Sequence, residues 1–328
     1  MRALVVPDNQ ANSIASLKWL NRPIPEPGPN QVLVQTKAVG LNPVDYKTIE
    51  HLDPALTFPH TIGLDVAGLV VAVGTEVTSW HAGDRVCGHG NLAVDGAFAE
   101  YVVVEAAAIA AIPDGVSFTT AAGSLCAGLT AYQALFRKAN LNNVETVLIH
   151  AGAGGVGSMA IQLAKHMGKR VYTTVSAHKQ DFVAQLAPDA QIDYRTADVT
   201  QRIAELTGGQ GVDLIINTIG HPEADLPRLA YNGQLVCLLA VPESIPTAKA
   251  VTVSKLDLGG AHRSGNPQQV EDLGRMTREL LALIAAGTVD PLVSKVLPAD
   301  QIPTGLQLLK DDQVAGKLVA TFGAASKF

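Results

Sequence analysis

The chain has 328 residues, 47% of them apolar and 16% charged, with a net charge of −6. That length predicts two domains with sizeable cores, and mild acidity without a run of Lys and Arg argues against a nucleic-acid partner. No segment approaches the roughly 18 uninterrupted apolar residues of a membrane span.

The opening MRALVVPDNQ meets Pro7 and Asp8 too early for a signal peptide. The turn cluster RPIPEPGPN (Arg22–Asn30) precedes the alternating strand VLVQTKAV. GLDVAGLVVAVG (Gly63–Gly74) and AEYVVVEA (Ala99–Ala106) are further strands. Three scattered cysteines, Cys87, Cys126 and Cys237, form neither a disulfide framework nor a CxxC metal site, so the default compartment is cytoplasmic.

The rhythm changes near residue 115. SFTTAAGSLCAGLTAYQALFRKA reads as helical, and from Thr146 apolar strands alternate with helices: TVLIHA, VGSMAIQLAKHMG, RVYTTV, then VDLIINTIG and GQLVCLLA. Runs that are apolar on both faces suit a buried parallel sheet. A helix with Val270, Leu273, Leu280 and Ile284 on one side follows, and KLVATF (Lys317–Phe322) is a strand expected to return to the first domain. Residues 1–125 and 265–328 thus make one domain and 126–264 the other.

Gly152, Gly154 and Gly157 follow the strand TVLIHA as GxGxxG, and a helix with Ala160, Leu163, Ala164 and Met167 at helical spacing comes next. Glycines let the backbone turn sharply beside a pyrophosphate, and the helix N-terminus supplies free N–H groups and partial positive charge. The alternative is a tight turn packing a helix on a sheet, but strand, glycines, helix and second strand together predict dinucleotide binding. An NAD enzyme places an acid at the end of the second strand for the ribose hydroxyls. Here Ser176 stands there, with Lys179 shortly after and Tyr194 and Arg195 in the next strand-like stretch. This favours NADPH, because an acid would repel its 2′-phosphate.

Together these segments resemble the medium-chain dehydrogenase/reductase superfamily and, within it, the zinc-independent, zeta-crystallin-like quinone oxidoreductases. The motifs that carry the resemblance are AVGLNPVDYK (Ala38–Lys47), GLDVAGLVVAVGTEVTSWHAGDRV (Gly63–Val86), GLTAYQAL (Gly128–Leu135), AGAGGVGSMAIQLAK (Ala151–Lys165) and AGKLVATF (Ala315–Phe322). The resemblance implies an α/β chain: a mostly-β GroES-like catalytic domain plus a doubly wound Rossmann domain, with the active site in the interdomain cleft. It implies NADPH-dependent reduction of quinones or activated enones by a homodimer or homotetramer.

By that likeness Gly155, Val156 and Gly157 line the pyrophosphate, while Ser176, Lys179 and Tyr194 surround the 2′-phosphate. Thr130 touches the nicotinamide, and Leu239, Ala240 and Lys317 close around the cofactor. Asn42, Asp45 and Tyr46 belong to the substrate site. Asn42 either hydrogen-bonds a carbonyl oxygen as charge builds on it or is a turn residue ahead of Pro43. Tyr46 either donates a proton, stacks on a flat substrate or packs, and Asp45 orients rather than acts as an acid. Zinc alcohol dehydrogenases of the superfamily carry a Cys at the position of Asn42, a His at Leu64 and a Cys at Cys126. One thiol of three ligands does not hold catalytic zinc, so no metal is expected. Asp65 anchors a strand turn, and the nine histidines show no relay. An enoyl-thioester reductase or a non-catalytic NADPH-binding sensor or structural protein are the other readings.

Overall fold

The computed structural model describes residues 1–245 and 249–323, which fall into two compact units: Met1–Leu129 with Gly259–Phe328, and Thr130–Leu258. In chain order the first unit begins with β1 (Arg2–Val6), β2 (Lys18–Asn21), β3 (Gln31–Leu41), helix α1 (Pro43–Glu50) and β4 (His60–Thr61). It continues with β5 (Asp65–Val73), β6 (Arg85–His89), β7 (Tyr101–Glu105) and β8 (Ile109–Ala111), then helix α2 (Phe118–Gln133). The second unit holds β9 (Thr146–Ile149), α3 (Gly155–His166), β10 (Arg170–Val175), α4 (Gln180–Ala184), β11 (Ala190–Asp193) and α5 (Val199–Leu206). It ends with β12 (Val212–Asn217), β13 (Leu229–Cys237) and β14 (Thr252–Lys255). The chain then returns to the first unit through α6 (Gly260–Arg263), α7 (Pro267–Ala285), β15 (Val293–Pro298), α8 (Ile302–Lys310) and β16 (Lys317–Thr321).

The first unit is built on β3. This strand pairs antiparallel with β5, β7 and β16, and the sheet continues through β6 to β8 on one side and through β16 to β15 on the other. The C-terminal strand therefore does return to the first domain, with Leu318 opposite Leu41 and Ala320 opposite Val39. A smaller antiparallel sheet, β2-β1-β4, lies beside it in the same unit. Val32, Val34, Val66, Val70, Phe98, Leu306 and Leu318 share one buried apolar cluster, the kind of contiguous core that anchors a domain.

The second unit is a six-stranded parallel sheet in the order β11-β10-β9-β12-β13-β14. This is the doubly wound Rossmann order. Val147, Leu148, Ile149, Leu214, Ile215 and Ile216 are fully buried, as central parallel strands covered on both faces require. The helical stretch after residue 117 forms α2 and then widens into a π-turn over Ala134–Lys138. No helix among the described residues is long and apolar enough to cross a membrane.

Candidate functional site

In the second unit, the C-terminal ends of the parallel strands carry the predicted cofactor residues other than Thr130, on α2, and Lys317, in the first unit. The glycine loop follows β9. It begins at Ala151 in the left-handed region (φ 53°) and is pinned by Gly152 N–H to Thr174 O at 2.9 Å. Two glycines are required by contact. A Cβ on Gly152 would lie 2.3 Å from Thr173 Oγ1, and one on Gly157 would lie 2.2 Å from Ala151 O. Gly154 differs: it caps α3 in extended conformation, and a Cβ there would meet only Ala151 O at 3.3 Å. Ser158 N–H bonds back to Gly154 O. The N–H groups of Gly155, Val156 and Gly157 belong to the first helical turn, where no intrahelical acceptor exists. Those three N–H groups and the helix dipole fit a pyrophosphate.

Ser176 follows β10, and Tyr194 follows β11. Those strands are neighbours, with Val175 opposite Asp193, so the two residues stand at one edge of the same sheet end. Ser176 is buried and Tyr194 is 47% exposed, with the Arg195 guanidinium 5.8 Å from its ring centre. Lys179 is half-buried on the short helical turn after Ser176. Leu239 and Ala240 are exposed just past β13, and Thr130, on α2, is the buried first residue of this unit.

In the first unit, two of the three predicted substrate residues, Asn42 and Asp45, sit in a buried polar cluster. Asn42 precedes α1 and is 2% exposed. Its Nδ2 donates to Asp65 Oδ2 (2.8 Å), and its Oδ1 accepts from Lys317 Nζ (2.5 Å). Lys317 also donates to Leu41 O at 3.0 Å. A substrate contact by Asn42, or a cofactor contact by Lys317, would require exchanging one of these bonds. Asp45 accepts the Asn42 backbone N–H at 2.8 Å, closing the first turn of α1. Its other oxygen, Oδ1, is buried without a partner. Burial, then the neighbouring Asp65 charge, pushes the Asp45 carboxyl up to about 8, against the pull of Asn42 N–H, Lys317 and Leu64 N–H. A fully buried carboxyl close to a second carboxyl is most cheaply held in its neutral form. Tyr46 faces elsewhere. It is half-buried against the apolar cluster, and burial and Glu50 push its hydroxyl up while Lys310 opposes them.

Asp65 is the hub that sequence reading reduced to a turn anchor. Besides Asn42 it receives Cys126 N–H (3.0 and 3.1 Å) and faces His89 Nδ1 at 2.8 Å. Gly40 permits this approach, since a Cβ there would sit 2.9 Å from Asp65 Oδ2 and 2.5 Å from Ala122 O. Two histidines are held in buried structural pairs. His89 is paired with Asp65, and in the second unit His150 Nε2 lies 2.8 Å from Asp225 Oδ1.

The family models for the alcohol dehydrogenase GroES-like domain and for the zinc-binding dehydrogenase match residues 28–114 and 155–279. The chain is 38% identical to a quinone oxidoreductase of Pseudomonas aeruginosa over 64% of its own length and 65% of that protein's. It is 31% identical to the trans-enoyl reductase ccsC of Aspergillus clavatus over 92% of both. Among solved structures, mycobacterial Rv1454c complexed with NADPH superposes with a TM-score of 0.84 at 30% identity, over 98% of this chain and all of that one. The chain belongs to the medium-chain dehydrogenase/reductase superfamily, among its quinone-oxidoreductase-like members. It is an oxidoreductase built on a nicotinamide-cofactor fold.

The donor set for a superfamily zinc ion is poor. Leu64 is a buried apolar side chain, and the Asn42 amide is bonded at both ends. Asp65, His89 and the Cys126 thiol bring ligand atoms within 4.8 Å of one another. Both Asp65 oxygens are nonetheless engaged by hydrogen bonds, and burial followed by the Asp65 charge pushes the Cys126 thiol up, away from the thiolate zinc requires. These residues do not fit a catalytic zinc.

Proposed function

We propose that this chain is a zinc-independent, NADPH-dependent reductase of quinones and activated α,β-unsaturated carbonyls. The observation that carries the cofactor choice is the end of β10: Ser176 stands where an acid would repel a 2′-phosphate, with Tyr194 just past the adjoining strand and Lys179 on the turn that follows. The quinone oxidoreductase relatives support the acceptor class.

Bound NADPH supplies the hydride. The chain's own part is to hold the pyrophosphate on the Gly155, Val156 and Gly157 N–H groups and to fix the adenosine end at Ser176, Lys179 and Tyr194. Quinones and enones are electron-poor before they bind, so orientation provides several kcal/mol toward the barrier without a Lewis acid. Asn42, Asp45 and Tyr46 are proposed on the acceptor side. Of these, Asp45 is fully buried and acts by orienting the entry to α1 through its bond from the Asn42 N–H.

A charge-assisted hydrogen bond to phosphate contributes about 1.5–3 kcal/mol, or about ten- to a hundredfold in affinity. Calorimetry should therefore show NADPH binding tighter than NADH by that factor, and Lys179→Ala should erase most of the gap. Equal or tighter NADH binding would overturn the assignment. Elemental analysis of the purified protein should find far less than one zinc per chain, with turnover unaffected by a chelator. A stoichiometric zinc whose removal abolishes turnover would contradict the metal-free reading.

A second reading has support of its own. The trans-enoyl reductase ccsC matches over 92% of both chains, which favours an enoyl-thioester acceptor. A thioester such as crotonyl-coenzyme A, compared with a naphthoquinone, separates the two by relative kcat/KM.

A further inference from the structure

The strand order of the second unit reverses direction between β9 and β12. In an open parallel sheet, ligands settle outside the strand ends at that point, between the two diverging loops. Here those loops are the glycine loop after β9 and the Asn217–Gly220 turn after β12.

Below them runs one unbroken buried chain of hydrogen bonds. Ala151 N–H, at the start of the glycine loop, donates to Thr174 Oγ1 at 3.0 Å. Thr174 Oγ1 lies 3.1 Å from His150 Nδ1, and His150 Nε2 lies 2.8 Å from Asp225 Oδ1. Asp225 Oδ2 accepts Asn217 Nδ2 at 2.7 Å, while Arg228 Nη1 donates to Asp225 Oδ1 at 2.7 Å. Asn217 Oδ1 then accepts the N–H groups of Ile219 (3.2 Å) and Gly220 (2.8 Å), closing the second loop. His150, Thr174, Asn217 and Asp225 are each 1–2% exposed.

Thr174 Oγ1 accepts from Ala151 and pairs with His150 Nδ1, and His150 Nε2 pairs in turn with Asp225 Oδ1. Every member is satisfied, the condition under which a buried polar network fixes a unique geometry. Apolar side chains would fill the same volume without specifying the spacing of two backbones. This network specifies it, since its ends are main-chain N–H groups in the two loops.

We infer that His150, Thr174, Asp225 and Asn217 are positioning residues that set the separation of the two loops and thereby the affinity for NADPH. The inference rests on the reading of this unit as the NADPH-binding one. None of the four needs to touch the cofactor, and a neighbour that orients a binding group is typically felt about ten- to a hundredfold in affinity.

The test is calorimetric titration of NADPH into the full chain and three variants, at a temperature where far-UV circular dichroism shows each folded. His150→Leu should weaken binding about ten- to a hundredfold, and the near-isosteric Thr174→Val about five- to tenfold. His150→Gln, whose amide can still donate to Asp225, should stay within about threefold of the native chain. KM for NADPH should rise with kcat retained. Should His150→Leu not fold, Thr174→Val carries the test alone. If the folded Leu and Val variants bind NADPH as tightly as the native chain and only melt earlier, the network serves stability alone and the inference fails. The same holds if Gln is as weak as Leu. If the native chain binds no NADPH, the functional reading falls and the inference with it.

Discussion

Asp45→Asn is expected to be more stable than the native chain at mildly alkaline pH. The native carboxyl is held up to about 8, while in the unfolded chain it ionises near 4. Between these values the folded state holds a proton that the unfolded state has released. The stability Asp45 contributes is therefore full below about pH 4 and is lost as pH rises through about 8. Asn mimics the protonated group: it keeps an oxygen for the Asn42 N–H and carries no charge to desolvate. The variant's advantage in urea denaturation should climb by about 1.4 kcal/mol per pH unit across that window and level off on the order of 5 kcal/mol. A constant difference across pH would mean the native carboxyl is ionised throughout.

The two alanine variants of the glycine loop should separate folding from binding. In Gly157→Ala the new Cβ would press on backbone alone, Ala151 O at 2.2 Å and Gly152 Cα at 2.9 Å. Helix α3 must then shift, costing about 1–3 kcal/mol and most of the NADPH affinity. In Gly154→Ala the backbone already has an allowed φ of −78° and the Cβ meets only Ala151 O at 3.3 Å. Its melting temperature should match the native one, yet NADPH should bind at least about tenfold more weakly, because the methyl stands where the pyrophosphate approaches. Calorimetry beside thermal melts reads both. A Gly154→Ala chain that binds normally would place the phosphates elsewhere.

The parts of this molecule that follow local rules were readable in the chain. The strand TVLIHA, the three glycines and the helix after them needed only neighbouring residues, as did the missing acid at Ser176 and the terminal strand KLVATF. What escaped reading is assembled from distant segments. Asp65 meets His89, Cys126 and Asn42, and Asn42 meets Lys317 from 275 positions away. His150 and Asp225 are 75 apart. No periodicity records such partners, so His89 and His150 looked like isolated histidines and Asp65 like a turn anchor. The break between the units was obscured for a local reason: α2 runs as one helix from Phe118 to Gln133, past the boundary at Leu129. Asn42 is a helix-entry residue as one reading had it, but its side chain is also a link in the Asp65–Lys317 cluster.

The most direct test of the central claim is NADPH oxidation by the purified chain against a panel of quinones and α,β-unsaturated ketones, run in parallel with NADH and with ethanol plus NADP⁺. Turnover is expected with at least one quinone or enone, with a preference for NADPH of about tenfold or greater, and none with ethanol. Tight NADPH binding with no oxidation by any acceptor, or alcohol oxidation as the dominant activity, would contradict it.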